Sequence, residues 1–85
     1  MNPLPVLIVE DDQDLLEAIC ATMRLSGYQA IAASNGDDAM AILQERQVGI
    51  VISDVQMKPT DGLLLLKNIK AIHPELPVLL MTAYR

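Results

Sequence analysis

The sequence predicts an α/β fold in which a parallel sheet is covered by helices, and three observations support this prediction. Four short apolar runs recur along the 85 residues, at positions 4–9, 28–33, 48–53 and 77–81. Each of the first three is followed by a longer segment with apolar residues at helical spacing. The runs are continuously apolar, which is typical of strands buried on both faces. The alternation of strand and helix therefore predicts parallel strands joined by right-handed crossovers.

The first strand (β1, residues 4–9) is separated by acidic residues from the first helix (α1). Pro5 is tolerated because it lies near the start of the strand. The helix is predicted from apolar residues at helical spacing and a stop signal, namely Leu15, Leu16, Ile19, Met23 and Ser26-Gly27. Asp12 and Asp14 are interpreted as helix-start acids, because negative charge is favourable near a helix N-terminus. Cys20 is interpreted as a small core residue of the same helix.

The second strand (β2, residues 28–33) is weak, and a helix start follows it directly. The segment Ser34-Asn35-Gly36-Asp37 is typical of a capping box. The helix after it (α2) carries its apolar residues at Ala39, Met40, Ile42 and Leu43. The third strand (β3, residues 48–53) ends at Asp54, so a buried strand is predicted to deliver one carboxylate to a surface cleft.

The third helix (α3) is predicted over residues 62–72, with Asp61 as its cap. Its buried stripe is predicted to consist of Leu63, Leu66 and Ile69. His73-Pro74 ends the helix, because the residue before a proline resists helical geometry. The fourth strand (β4) follows at residues 77–81.

Composition restricts the classes of protein to which the chain can belong. A hydrophobic fraction of 52% with 20% charged residues is typical of one globular domain, and no apolar run reaches the length of a membrane span. The single Cys20 cannot form an internal disulfide, which favours the reducing cytoplasm. A net charge of −5 argues against binding of nucleic acid by this segment. Any DNA-directed role would therefore belong to an attached domain.

Polar residues follow three of the predicted strands. Glu10 and Asp11 follow β1, Asp54 ends β3, and Thr82 follows β4. Because the carboxyl ends of parallel strands converge on one edge of a sheet, these side chains are expected to lie together. Clustered carboxylates repel one another unless a cation lies among them, and an all-oxygen site suits Mg²⁺. Asp54 could then act as a nucleophile on phosphorus, with Thr82 stabilising the transferred group.

Other functions of an acidic loop fit the sequence less well. An aspartate-nucleophile phosphohydrolase has an Asp-x-Asp pattern like Asp12-Gln13-Asp14, but Leu15 occupies the position where that class has a hydroxyl residue, and the chain leaves no room for a substrate cap. An EF-hand is excluded because the loop glycine is missing. A nucleotide site is excluded because no Gly-rich or Gly-Lys-Ser/Thr segment follows β1.

The sequence resembles, over its whole length, the receiver domain of a two-component response regulator. The motifs that carry the resemblance are Glu10-Asp11 after β1, Asp54 after β3, the loop from Met57 to Asp61-Gly62, and Thr82-Ala83 after β4. Residues 73–78 and 81–83 are most similar to the NtrC-like class, whose receivers precede an ATPase and a DNA-binding domain. The resemblance implies a flavodoxin-like, doubly wound parallel sheet with the strand order 2-1-3-4-5.

The resemblance also implies the roles of the site residues. Asp54 would be the phosphoacceptor for a partner histidine kinase, and Mg²⁺ would be the cofactor. Asp11 and Asp54 would bind the ion directly, Glu10 through water, and Gln56 through its backbone carbonyl. Thr82 would be the switch hydroxyl that moves toward the phosphoryl group, and Ala83 would leave room for that group to enter. The chain would not be an enzyme, beyond catalysing its own phosphorylation and dephosphorylation.

The sequence departs from the family pattern at two places. Lys58 stands where the family usually has proline, and Pro59 comes one residue later. A complete receiver continues with α4-β5-α5, which this sequence lacks, so residues 1–85 are predicted to form a partial receiver domain and no residue is assigned as the lysine of β5.

The missing elements lead to two further expectations. Without β5 the apolar strand β4 becomes an edge, and one sheet face is partly bare, which predicts a dimer or larger assembly through that edge or face. Without the lysine, the alternative function is a receiver-like assembly module that is not phosphorylated.

Overall fold

The computed structural model describes residues 3–57 and 61–81. The elements, in chain order, are β1 (Val6–Val9), α1 (Gln13–Leu25), β2 (Ala30–Ala33), α2 (Gly36–Glu45), β3 (Ile50–Asp54), α3 (Gly62–Ile72) and β4 (Val78–Met81). The predicted order is confirmed, with each strand beginning one or two residues later than its apolar run. Lys58, Pro59, Thr82 and Ala83 lie outside the described residues, so the expectations about them stay predictions.

The four strands form one parallel sheet in the order β2-β1-β3-β4. The chain moves outward from β1 to β2 and then crosses to the other side of β1, so the order reverses between β1 and β3. Val9 pairs with Ser53 across this junction. The residues that follow them, Glu10 and Asp54, are therefore placed side by side at the carboxyl edge of the sheet, where doubly wound proteins bind ligands.

The core lies on both faces of the sheet, because successive strand residues point to opposite sides. Leu7 and Val9 face α2 and α3, whereas Val6 and Ile8 face α1. Leu7, Ile8 and Val9 have no exposed surface, and full burial of such a side chain contributes about 1.5–3 kcal/mol. Cys20 joins the α1 side of the core, as predicted, and burial raises the pKa of its thiol. That shift argues against a reactive thiolate.

Each helix begins with an aspartate or asparagine that caps its first turn. Asp12 accepts a hydrogen bond from the Leu15 N–H at 3.1 Å, and Asp61 accepts one from the Leu64 N–H at 2.7 Å. These two predictions are confirmed. In α2 the cap is Asn35, which accepts from the Asp38 N–H at 2.8 Å. A cap of this kind contributes about 1 kcal/mol, and all three helices begin at the carboxyl edge of the sheet.

The predicted buried stripe of α3 is confirmed at Ile69 and wrong at Leu63, and Leu66 is only half-buried. Leu63 is 54% exposed, whereas Leu65 and Ile69 are 1% and 0% exposed. The run of leucines from 63 to 66 fits several phases equally well, so periodicity alone could not select one. The phase is set by Gly62, which packs against the end of β3 and turns the side of the helix carrying Leu65 toward the core.

Several large apolar side chains of the described residues lie on the surface rather than in the core. Leu25 ends α1 with 89% exposure, and Leu79 in β4 is 53% exposed. Among the described helices, none combines the length and the apolar character needed to cross a bilayer.

Candidate metal site at the carboxyl edge of the sheet

Three carboxylates meet at the junction between β1 and β3. Glu10 and Asp11 directly follow β1, and Asp54 is the last residue of β3. One ligand oxygen from each of them lies within 4.8 Å of the others. The clustering expected from the parallel topology is therefore present, and it places negative charges at a separation where they repel strongly unless neutralised.

Glu10 is the most constrained member of this cluster, with 1% of its surface exposed. Its Oε2 accepts a hydrogen bond from the Asp11 N–H at 3.0 Å. Its Oε1 is buried and has no hydrogen-bond partner among the described residues. A buried acceptor without a partner carries a desolvation cost of about 1–3 kcal/mol, or more when it is charged.

Burial, followed by the close approach of Asp54, raises the pKa of Glu10 from 4.5 to about 7. A proton on Glu10 would let the carboxyl donate to Asp54, which neither group can do when both are ionised. A divalent cation would relieve the same repulsion without a proton. A positive charge at this edge, from a proton or from a cation, would therefore lower the repulsion between Glu10 and Asp54.

Asp54 is held in one orientation by its own loop. It is 3% exposed, and its Oδ1 accepts a hydrogen bond from the Gln56 N–H at 3.0 Å. The chain just after it is fixed on both sides, because the Val55 N–H donates to Met81 and the Val55 carbonyl accepts from Gly62. The carboxylate therefore has one oxygen committed to the loop and a second oxygen that this bond leaves available.

The donor set fits a hard divalent cation. All three side chains offer oxygen, two of them are buried, and Asp11 is exposed, so water can complete the coordination from its side. Few carboxylates together with several waters is the arrangement that Mg²⁺ prefers. Gln56 lies beside the cluster, because its N–H donates a hydrogen bond to Asp54 Oδ1. Met81, the residue before Thr82, pairs with Asp54 in the sheet.

Sequence reasoning treated Gly62 as the start of α3 and as part of the loop motif after β3, and it missed the contact that Gly62 makes with Asp54. A Cβ built on Gly62 would overlap the carbonyl oxygen of Asp54 and lie 2.8 Å from the Val55 Cα. The available signal was a glycine in the first turn of a helix that already had an aspartate cap, a place where glycine brings no advantage for helix formation.

Taken together, the strand order, the crossovers and the acidic edge define a doubly wound α/β protein with a cluster of three carboxylates at its topological switch point. The family described as "Response regulator receiver domain" matches residues 6–85. The chain belongs to this family, and the resemblance drawn from its motifs is confirmed.

Curated relatives point to the same class within the family. FleR, a response regulator protein of Pseudomonas aeruginosa, is 46% identical over 79 residues, which is 93% of this chain and 17% of FleR. ZraR of Salmonella typhimurium, a transcriptional regulatory protein, is 38% identical over 81 residues, covering 95% of this chain and 18% of ZraR. These relatives are NtrC-like regulators, as the sequence indicated, and the chain spans less than a fifth of their length.

Solved structures share the fold. A response regulator receiver protein from Pseudomonas putida superposes with a TM-score of 0.92 at 28% identity, covering 100% of this chain and 71% of that one. The response regulator TrrA from Thermotoga maritima, solved in complex with Mg²⁺ and BeF, gives a TM-score of 0.90 at 26% identity, covering 99% of this chain and 71% of TrrA. The described elements correspond to the N-terminal part of the receiver fold, as predicted.

Proposed function

We propose that Asp54 accepts a phosphoryl group from a partner histidine kinase, with Mg²⁺ held by Glu10, Asp11 and Asp54. The observation that carries the proposal is the buried Oε1 of Glu10, which lacks a donor beside two further carboxylates. A structural role alone leaves such a cluster with unrelieved repulsion. A site that holds a cation while Asp54 accepts a phosphoryl group would relieve this repulsion and use the cluster.

The chain's own residues supply the nucleophile and its orientation. Asp54 attacks phosphorus through the oxygen that Gln56 does not hold, and the bond between phosphorus and the donor breaks with its electron pair leaving on the donor. The product is an acyl phosphate. The Gln56 N–H keeps the other oxygen in place at 3.0 Å, so the carboxylate does not rotate away from an in-line approach.

Mg²⁺ would neutralise the charge that builds up on the transferred group. Asp11 and Asp54 would bind it directly, Glu10 through water, and Gln56 through its backbone carbonyl. The complex of TrrA, a receiver of the same fold, with Mg²⁺ and BeF supports the proposal that this domain binds a cation. Thr82 is proposed as the switch hydroxyl, and Ala83 as the small residue that leaves room for the phosphoryl group. Together they would relay the change to an output domain.

The relatives support a transcriptional output for the longer protein to which such a receiver would belong. FleR, ZraR and DctD are named as response regulator or transcriptional regulatory proteins. A net charge of −5 makes this segment itself unsuited to binding DNA. We therefore propose that an attached ATPase and DNA-binding domain carries the output. The receiver itself is proposed to be a phosphoacceptor rather than an enzyme acting on other substrates.

The proposal is tested by incubating the chain with Mg²⁺ and acetyl phosphate and measuring its intact mass. The expected result is an adduct of about 80 Da that is absent without Mg²⁺ and absent from an Asp54→Asn variant. Asp37→Asn is the matched control, because Asp37 is an exposed aspartate in the first turn of α2 and should retain the adduct. No adduct on the wild-type chain would overturn the proposal.

The second candidate, an assembly module that is not phosphorylated, is favoured by the unequal edges of the sheet. At the β2 edge, the Arg24 guanidinium donates to the Ala30 carbonyl at 3.0 Å and covers the strand with a charge. At the β4 edge, the outward backbone groups of Val78 and Leu80 have no partner among the described residues. An uncharged apolar edge of this kind is a surface for pairing with another chain.

A further inference from the structure

We infer that Gly62 is a positioning residue for Asp54, and that its lack of a side chain sets where the acidic cluster can hold a cation. The role rests on the proposed function of Asp54. It concerns the distance between two elements, α3 and the end of β3, rather than any group that touches the cation or the phosphoryl donor.

The contact between Gly62 and the end of β3 is made entirely by main-chain atoms. A Cβ on Gly62 would overlap the Asp54 carbonyl oxygen and lie 3.0 Å from the Asp54 carbonyl carbon and 2.8 Å from the Val55 Cα. None of these atoms belongs to a flexible side chain that could swing aside. An alanine at this position must therefore move α3 away from the sheet or move the end of β3.

The end of β3 cannot move without moving the carboxylate. The peptide between Asp54 and Val55 is followed directly by the Gln56 N–H, which holds Oδ1 of Asp54 at 3.0 Å. The Val55 carbonyl accepts from the Gly62 N–H at 2.8 Å, so the same residue that touches the strand end also bonds to it. A displacement that starts at Gly62 is thus passed through two hydrogen bonds to the oxygen atoms of Asp54.

Backbone conformation does not explain the glycine. Among the described residues, only Gly27 has a positive φ, at 95°, so Gly62 occupies a conformation that any residue can adopt. Alanine is also the better helix former, and a purely local view predicts that Gly62→Ala strengthens α3. The lack of space beside Asp54 excludes a larger residue at this position. Helix propensity therefore predicts that Gly62→Ala is favourable, whereas the close contact with β3 predicts that it disturbs the site.

The test measures the affinity of the chain for Mg²⁺ alone, by titration followed in ¹H–¹⁵N NMR spectra, which also report whether each variant is folded. Gly62→Ala should weaken Mg²⁺ binding about tenfold or more, the loss typical of residues that orient metal ligands. The control is Gly27→Ala, which strains a positive φ at the other end of α1 with no atom near its new Cβ. It should lose stability but bind Mg²⁺ within about twofold of wild type.

A second pair of variants decides the matter if Gly62→Ala does not fold. Asp61→Ser and Asp61→Ala both remove the charge of Asp61, but serine keeps the cap on the Leu64 N–H and alanine loosens the first turn of α3. Weaker Mg²⁺ binding by Asp61→Ala than by Asp61→Ser supports the inference, since the two variants differ in the cap that holds the start of α3 in place. Equal affinities in this pair, or a folded Gly62→Ala that binds like wild type, overturn it.

The two proposals fail in distinguishable ways. If the wild-type chain binds Mg²⁺ but forms no adduct with acetyl phosphate, the phosphoacceptor proposal fails and the Mg²⁺ affinities still decide the role of Gly62. If the adduct forms and Gly62→Ala binds Mg²⁺ like wild type, only the positioning role fails.

Discussion

Replacing Glu10 with glutamine should remove most of the pH dependence of stability that the acidic cluster creates. The pKa of Glu10 is raised from 4.5 to about 7 in the folded chain, so between these values the folded state holds a proton that the unfolded state has released. The stabilisation from this proton is fully present below pH 4.5 and is lost as the pH rises through about 7. Glutamine cannot ionise, and its amide nitrogen can donate to Asp54.

The size of the effect follows from the shift itself. A change from 4.5 to about 7 corresponds to about 3 kcal/mol, which is an upper value because part of the repulsion relaxes when the loop adjusts. Glu10 is 1% exposed, so solvent screening reduces this figure little. For a chain of 85 residues, 3 kcal/mol is a large fraction of the total stability.

The free energy of unfolding is measured by urea denaturation in EDTA at about pH 5 and about pH 8, for wild type and for Glu10→Gln. The quantity of interest is the change with pH in wild type minus the change with pH in the variant. Wild type should lose up to about 3 kcal/mol relative to the variant over this range. The matched control is Glu45→Gln, which removes one carboxylate from an exposed position at the end of α2, outside the acidic cluster. Added Mg²⁺ at the higher pH should restore the stability that wild type has lost. Parallel pH profiles of wild type and Glu10→Gln in EDTA would refute the reasoning.

Three further predictions concern the core, the sheet edge and the charge of the site. Leu65→Ala should lower the free energy of unfolding by about 2–5 kcal/mol, because Leu65 is 1% exposed. Leu63→Ala, at a position with 54% exposure, should change it by no more than about 0.5 kcal/mol; equal losses in urea unfolding would contradict the assigned phase of α3. The 85-residue chain should self-associate through β4, and Leu79→Lys should shift it toward the monomer in light scattering. A wild-type chain that is already a clean monomer at micromolar concentration rules this out. The rate of phosphorylation by acetyl phosphate, at saturating Mg²⁺, should rise with added KCl, because a net charge of −5 repels an anionic donor and salt screens that repulsion; a rate that falls with salt in a mass-spectrometric time course would count against it.

The sequence predicted the order of the elements because each one has its own local signal. Asp12 and Asp61 mark the starts of helices, and His73 before a proline marks the end of one. These boundaries can therefore be predicted without knowing the contacts made by distant residues. The meeting of Glu10 with Asp54 was also predictable, because it follows from parallel strands and right-handed crossovers.

The features that could not be predicted depend on contacts between elements far apart in the chain. The choice of Leu65 over Leu63 as the buried leucine is made by the packing of α3 on β3, and four successive leucines give no local preference. The role of Gly62 depends on the position of the Asp54 peptide, which no periodicity describes. The missing partner of Glu10 Oε1 likewise becomes visible only when every nearby donor has been placed.

Acidic residues lie at the same edge of this fold for two independent physical reasons. The burial and the hydrogen-bond partners of each residue show which reason applies. Helix dipoles favour Asp12 and Asp61, and each is exposed and accepts a backbone N–H of its own helix, so its charge is already compensated. Glu10 and Asp54 come from strand ends, are buried, and face each other. A cap needs nothing beyond its helix, whereas the strand-end pair keeps an oxygen without a donor. Each of the four acids accepts a backbone N–H, so the feature that marks the candidate ligands is a buried oxygen without a donor.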